Sequence, residues 1–93
     1  MSENKEKAIP KWFKGEVYAE GGKVTNPFSN ASFELSPNEL SMYDFIIGVQ
    51  FLMENSSFWI NTREEKTKQI NDFHKAISWF RSANVDAYYV LLD

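Results

Sequence analysis

The chain has 93 residues, enough for one compact core and too few for two domains, and its 43% hydrophobic and 16% aromatic content carries too much bulky apolar surface for a disordered protein. It has no cysteine, which excludes disulfides, thiolate metal ligands and thiol nucleophiles, so packing or self-association must hold the fold. A net charge of −3 disfavours a nucleic-acid partner, because proteins that bind polyanions usually concentrate basic charge on one face.

Residues 1–10 are polar, lack apolar periodicity and end at Pro10, which predicts a flexible tail followed by a single domain over 11–93. The charged start, Met1 to Lys7, has no apolar stretch leading to small residues that a signal peptidase could cut, so a cytoplasmic location is expected. The glycosylation-like triplets at Asn30 and Asn55 then read as chance matches in polar loops. Trp12 to Tyr18 and Lys23 to Thr25 flank Glu20-Gly21-Gly22, a pattern that suits a β-hairpin turning at the glycines. A third short strand, Ser32 to Leu35, follows the turn-rich Asn26 to Asn30, and its alternation puts Phe33 and Leu35 on one face and Glu34 on the other.

Ser36-Pro37-Asn38-Glu39 is a helix start: the serine caps, proline fits the first turn, and the glutamate can close a capping box. That helix is expected from Pro37 to Glu54 or Asn55. Leu40, Tyr43, Ile47 and Phe51 form one stripe, and Met42, Phe45, Ile46, Val49 and Met53 spread the apolar surface around it. A helix so apolar is normally covered on more than one side, and its length and its Asp44 and Gln50 do not suit a bilayer span. After a loop over 55–60, Asn61 or Thr62 can cap a second helix. Its apolar positions are Ile70, Phe73, Ile77 and Phe80, with Arg63, Lys66, Lys68 and Asp72 left for solvent. Beyond Asn84 the chain reads as a short capped helix, although its β-branched and aromatic content also suits a strand.

Candidates for chemistry are few. His74 is the one histidine, and without cysteine or a second histidine no zinc set forms around it; no metal site or cofactor is expected. A carboxylate site joining Asp44 to Glu39 or Asp72 lacks calcium-loop spacing. No serine sits in a nucleophile elbow, and Gly21-Gly22-Lys23 lacks phosphate-loop spacing. Asp44 lies in the most apolar helix, so it needs either an exposed edge or a partner such as Arg63, His74 or Lys75. Gly48 costs about 1 kcal/mol in a helix and is expected to mark the close approach of another backbone. Lys11-Trp12-Phe13-Lys14 interleaves cations with aromatics and is the expected partner-binding segment.

Three stretches taken in order, Val24 to Ser29 with Glu34 to Ser36, Tyr43 to Gly48, and Ser78 to Arg81 leading to Ala87 to Asp93, resemble small proteins encoded by marine tailed phages, notably those of cyanobacteria. The resemblance covers residues 15–93 and implies a phage setting, with no activity or catalytic residue to carry over.

The expected fold is α+β: a short antiparallel hairpin or three-stranded meander packed on two main helices, plus a short C-terminal helix. The expected function is non-enzymatic: an accessory protein that binds a host or phage protein, with a homodimer through Met42, Ile46, Val49 and Met53 as a further expectation. The alternatives are a structural component of a phage particle, or nucleic-acid binding through Lys11 to Lys14 and the basic face of the second helix.

Overall fold

The structure is a computed structural model that describes residues 6–54 and 63–92; the expected loop over 55–60 and the caps Asn61 and Thr62 lie outside the described residues. Two strands, β1 (Gly22–Thr25) and β2 (Ser32–Leu35), form an antiparallel pair in which Val24 faces Phe33 and Lys23 faces Glu34. Phe33 and Leu35 turn inward as their alternation predicts. The turn between them is built by Asn26, whose side-chain oxygen accepts from the Phe28 and Ser29 backbone N–H groups at 2.8 and 3.3 Å. Asn30 takes the left-handed conformation, φ 67°, that asparagine tolerates better than most residues.

This is a hairpin, but its strands are the second and third expected ones. Trp12 to Tyr18 forms no strand, because its groups are engaged elsewhere. The Phe13 N–H turns back to the Pro10 carbonyl at 3.1 Å, and the Tyr18 N–H donates to Ser41 Oγ at 2.8 Å. Neither glycine of the Gly21-Gly22 pair has a positive φ. Gly21 is required for a different reason: a Cβ there would collide with the Leu35 carbonyl oxygen.

The three helices are α1 (Pro37–Glu54), α2 (Arg63–Ala83) and α3 (Val85–Leu91), which makes the fold α+β. The capping box of α1 forms as read: the Glu39 N–H donates to Ser36 Oγ at 3.2 Å and the Ser36 N–H donates to Glu39 Oε1 at 3.0 Å. Asn84 caps α3 by accepting the Ala87 N–H at 3.1 Å, which decides the C-terminal segment as helix. Its Nδ2 also reaches Glu39 Oε1 at 3.3 Å, so the caps of α1 and α3 are tied together.

The core lies where α1, α2, α3 and β2 meet, around Phe80, Met42, Ile46, Ala76 and Leu91. Met42, Ile46 and Val49 are 0, 1 and 3% exposed, so the expected dimer surface is corrected: three of its four residues pack inside their own chain, and Met53 is half-buried. Met42, Tyr43, Ile46 and Val49 are buried within their own chain, whereas Ile47, Phe51 and Leu52 of α1 remain exposed. Gly48 is also corrected, since it is exposed with nothing within 4 Å of a Cβ placed on it. Asp72 is not left to solvent either; it is buried and held by Lys68 Nζ at 3.1 Å, one turn earlier.

Residues 6–10 do not behave as a free tail. Glu6 accepts the Asn38 N–H, the Lys7 carbonyl accepts Asn38 Nδ2 at 3.0 Å, and the Ala8 carbonyl accepts Trp79 Nε1 at 2.9 Å. Ile9 packs on the core. The polar composition suggested disorder, but backbone carbonyls and one apolar side chain are enough to dock the segment across the ends of α1 and α2.

Candidate functional site

Docking of residues 6–10 delivers Lys11 to Lys14 to the side of α2. The Trp79 bond to Ala8 and the turn at Pro10 hold the segment's start. An aromatic cluster holds its end, with Phe45 of α1 5.3 Å from Phe13 and 6.3 Å from Trp12 between ring centroids. On α2, Arg63, Thr67, Asn71 and Lys75 recur every four residues and so form one stripe. The segment and the stripe enclose an open groove of about 690 Å³.

Lys11, Lys14, Arg63, Lys68 and Lys75 line the groove, five of the chain's ten lysines and arginines, against two carboxylates, Glu64 and Asp72. A chain that is negative overall therefore presents one locally basic surface. Lys68 is committed to Asp72. Lys11, Lys14 and Arg63 have no carboxylate within ion-pair distance among the described residues. Lys75 Nζ sits 5.8 Å from the centroid of the Trp12 ring, a cation–π contact that fixes the indole as part of the groove wall. A second depression of about 610 Å³ adjoins the first, sharing Trp12 and Lys75 and adding Lys7 and His74.

Of the expected partner-binding residues, Lys11, Trp12 and Lys14 line this groove, whereas Phe13 turns inward against Phe45. The basic face of α2, which the sequence coupled to Lys11 to Lys14 only in the nucleic-acid alternative, lines the same groove. Thr67 and Asn71 were not legible as site residues, because nothing in their type signals a role before the stripe is known to face the groove.

No protein-family model, curated protein or solved structure matches the chain.

The residues weighed for acid–base or metal chemistry are dispersed. Asp44 is exposed and accepts a hydrogen bond from the Tyr18 hydroxyl, a partner absent from those the sequence suggested. Glu39 is occupied at the helix caps and Asp72 by Lys68. His74 is exposed beside Phe73, and Tyr43 stacks near Phe80 at 6.1 Å on the other side of the core. No helix among the described residues is long and apolar enough to cross a membrane.

The Tyr18–Asp44 bond has a measurable consequence. The hydrogen bond to Asp44, with smaller contributions from burial and from the Asp44 and Glu16 charges, pushes the Tyr18 hydroxyl up to about 12 from its ordinary value near 10. Burial, and then the Asp44 charge, also raise Tyr43. Because the folded state holds the Tyr18 proton more tightly than the unfolded chain, this bond stabilises the fold fully below about pH 10, and its contribution is lost as pH rises toward 12. Ultraviolet titration of the tyrosinates should show a late component near pH 12 that disappears in Tyr18→Phe and moves toward 10 in Asp44→Asn. An unchanged titration in Asp44→Asn would refute the bond.

Proposed function

We propose that the protein acts by binding another protein through the groove between residues 11–14 and α2, stoichiometrically and without catalysis. The observation that carries this reading is the convergence on one groove of Trp12 with Lys11, Lys14, Arg63 and Lys75. Arginine and tryptophan are the side chains that most often dominate protein interfaces. Free cations with a preformed apolar wall suit a partner that brings complementary charge to a fixed place. In the phage setting that the sequence resemblance implies, that partner is a host or phage protein, met in the host cytoplasm.

Nucleic acid is the second reading, favoured by the same mixture of cations and indole. Two features weigh against it. Glu64 and Asp72 lie in the groove, where a continuous phosphate backbone would meet them. The Trp12 ring is already engaged by Lys75 and by the edges of Phe13 and Phe45, leaving it poorly placed to stack on a base.

The test compares tagged wild-type protein with a Lys11→Glu, Lys14→Glu, Arg63→Glu variant in capture from lysate with and without nuclease, read by mass spectrometry. All three side chains are exposed, so the variant should keep its fold, checked by circular dichroism. Like charges across an interface cost several kcal/mol, so a partner bound here should fall at least about tenfold in recovery. Recovery of one stoichiometric protein by the wild type and its loss from the variant is the expected result. A partner held equally by both proteins would move the site elsewhere, and one that vanishes with nuclease would favour nucleic acid.

A further inference from the structure

We infer that two copies of the chain pair about a two-fold axis, with the Phe28 ring of each seated in a hollow on the other. Phe28 lies in the turn between β1 and β2 and is 97% exposed. That turn is pinned to α3: Asn26 Oδ1 accepts from the Phe28 and Ser29 N–H groups, and Asn26 Nδ2 donates to the Val90 carbonyl at 2.9 Å. The aromatic knob is thus presented in advance, with little backbone ordering left to oppose its burial. Beside it lies a hollow of about 240 Å³, lined by the buried Tyr43 and Leu91 together with Ile47 and Leu92. A cavity of about 150 Å³ is enough to hold benzene, so this one admits a phenylalanine ring. Phe28 borders the hollow without filling it, since its own ring is almost wholly in water. A knob and a hollow side by side on one surface are what a two-fold interface uses, in which residue i meets j and j meets i.

Two further observations favour a second copy over a different protein. The first is charge: no charged side chain lines the hollow. Near a two-fold axis a charge is set against its own like-signed counterpart, an unfavourable pairing. A chain of net charge −3 therefore pairs with itself most readily on a surface of this kind. The second is area. The apolar surface continues from Ile47, 39% exposed, to Phe51, 66% exposed, one turn further along α1. At about 200 Å² for each phenylalanine, the two rings offer about 300 Å² per chain. Interfaces are about 60% apolar, so covering these rings on both chains implies about 1,000 Å² in all, the size at which a specific interface begins. The groove beside residues 11–14 shares no lining residue with the hollow, so the pairing goes beyond the partner-binding reading and does not depend on it.

Sedimentation equilibrium of the full chain, from about 1 µM to about 200 µM, reads the mass directly. The wild type should approach the mass of two chains at the upper end. Phe28→Ser should weaken the association at least about a hundredfold, because a two-fold interface loses the ring twice. The side chain is nearly all in water, so this variant should keep its fold, checked by circular dichroism. The Lys11→Glu, Lys14→Glu, Arg63→Glu variant should associate as the wild type does. In a mixture of ¹³C-labelled and unlabelled chains, nuclear Overhauser effects should join the Phe28 ring of one copy to the Leu91 and Leu92 methyls of the other. A single-chain mass throughout, undiminished association in Phe28→Ser, or inter-chain contacts that omit Phe28 would overturn the proposal. Loss of association in the charge-reversed variant would also overturn it, by placing the contact in the groove. A chain that stays single while Phe28→Ser loses a captured protein would assign the face to that protein instead. Should Phe28→Ser unfold, the inter-chain contacts decide alone.

Discussion

Replacing Phe80 with alanine should cost about 3–5 kcal/mol, the largest loss expected from any single side chain in this fold. Phe80 is 0% exposed, and it stands where α1, α2 and α3 meet, with Tyr43 6.1 Å away and Met42 and Ile46 among the other fully buried side chains. Deleting its ring removes transfer free energy and leaves a cavity whose walls belong to different elements, so no one segment can collapse to fill it. A domain of this size has about 5–14 kcal/mol of stability in all. The midpoint of thermal unfolding should fall by about 12 °C or more. Phe80→Leu, which keeps most of the volume, should lose clearly less. Differential scanning calorimetry decides the matter: a fall of less than about 4 °C in Phe80→Ala would mean that the core is not centred on this ring.

Trp79→Ala should be nearly as damaging to stability, again about 3–5 kcal/mol, and it should also dismantle the candidate site. The indole is mostly buried in the core, and its Nε1 donates to the Ala8 carbonyl at 2.9 Å. That bond anchors the segment that carries Lys11 to Lys14 into the groove. Trp79→Phe separates the two roles, because it retains an aromatic body and loses the donor, a change of about 0.5–1.5 kcal/mol. Trypsin cuts after lysine, so cleavage at Lys7, Lys11 and Lys14 reports local release of the segment. In Trp79→Phe that cleavage should quicken about fivefold, in line with a loss of about 1 kcal/mol, while the thermal midpoint falls by about 4–8 °C, well short of the fall in Trp79→Ala. Unchanged cleavage would show that other contacts hold the groove wall and that the hydrogen bond is incidental to it.

What could be read from the sequence were features set by neighbours along the chain. The capping box at Ser36 and Glu39, the cap at Asn84, the alternation of Phe33 and Leu35 and the α+β class depend on interactions a few residues long, and the structure contains each of them. The Lys11 to Lys14 segment was visible for the same reason, since cation and aromatic adjoin in the chain itself. Features set by distant groups went the other way. The Trp12 to Tyr18 stretch has strand-like composition, yet its partners are the Pro10 carbonyl, Ser41 and Phe45, the last two more than twenty residues away. Gly21 looked like a turn glycine and is instead the place where β2 passes too close for a Cβ. The apolar spread of α1 looked like a subunit contact, but only the positions of α2 and α3 decide how much of that surface one chain can cover. The groove belongs to the same class. Two basic stretches some fifty residues apart in sequence become one site because Trp79 ties residue 8 to α2. Local periodicity and capping chemistry are therefore determined by the sequence alone, whereas the docking of the N-terminal segment, and the charge concentration it creates, are decided by tertiary contacts whose partners carry no short-range signal.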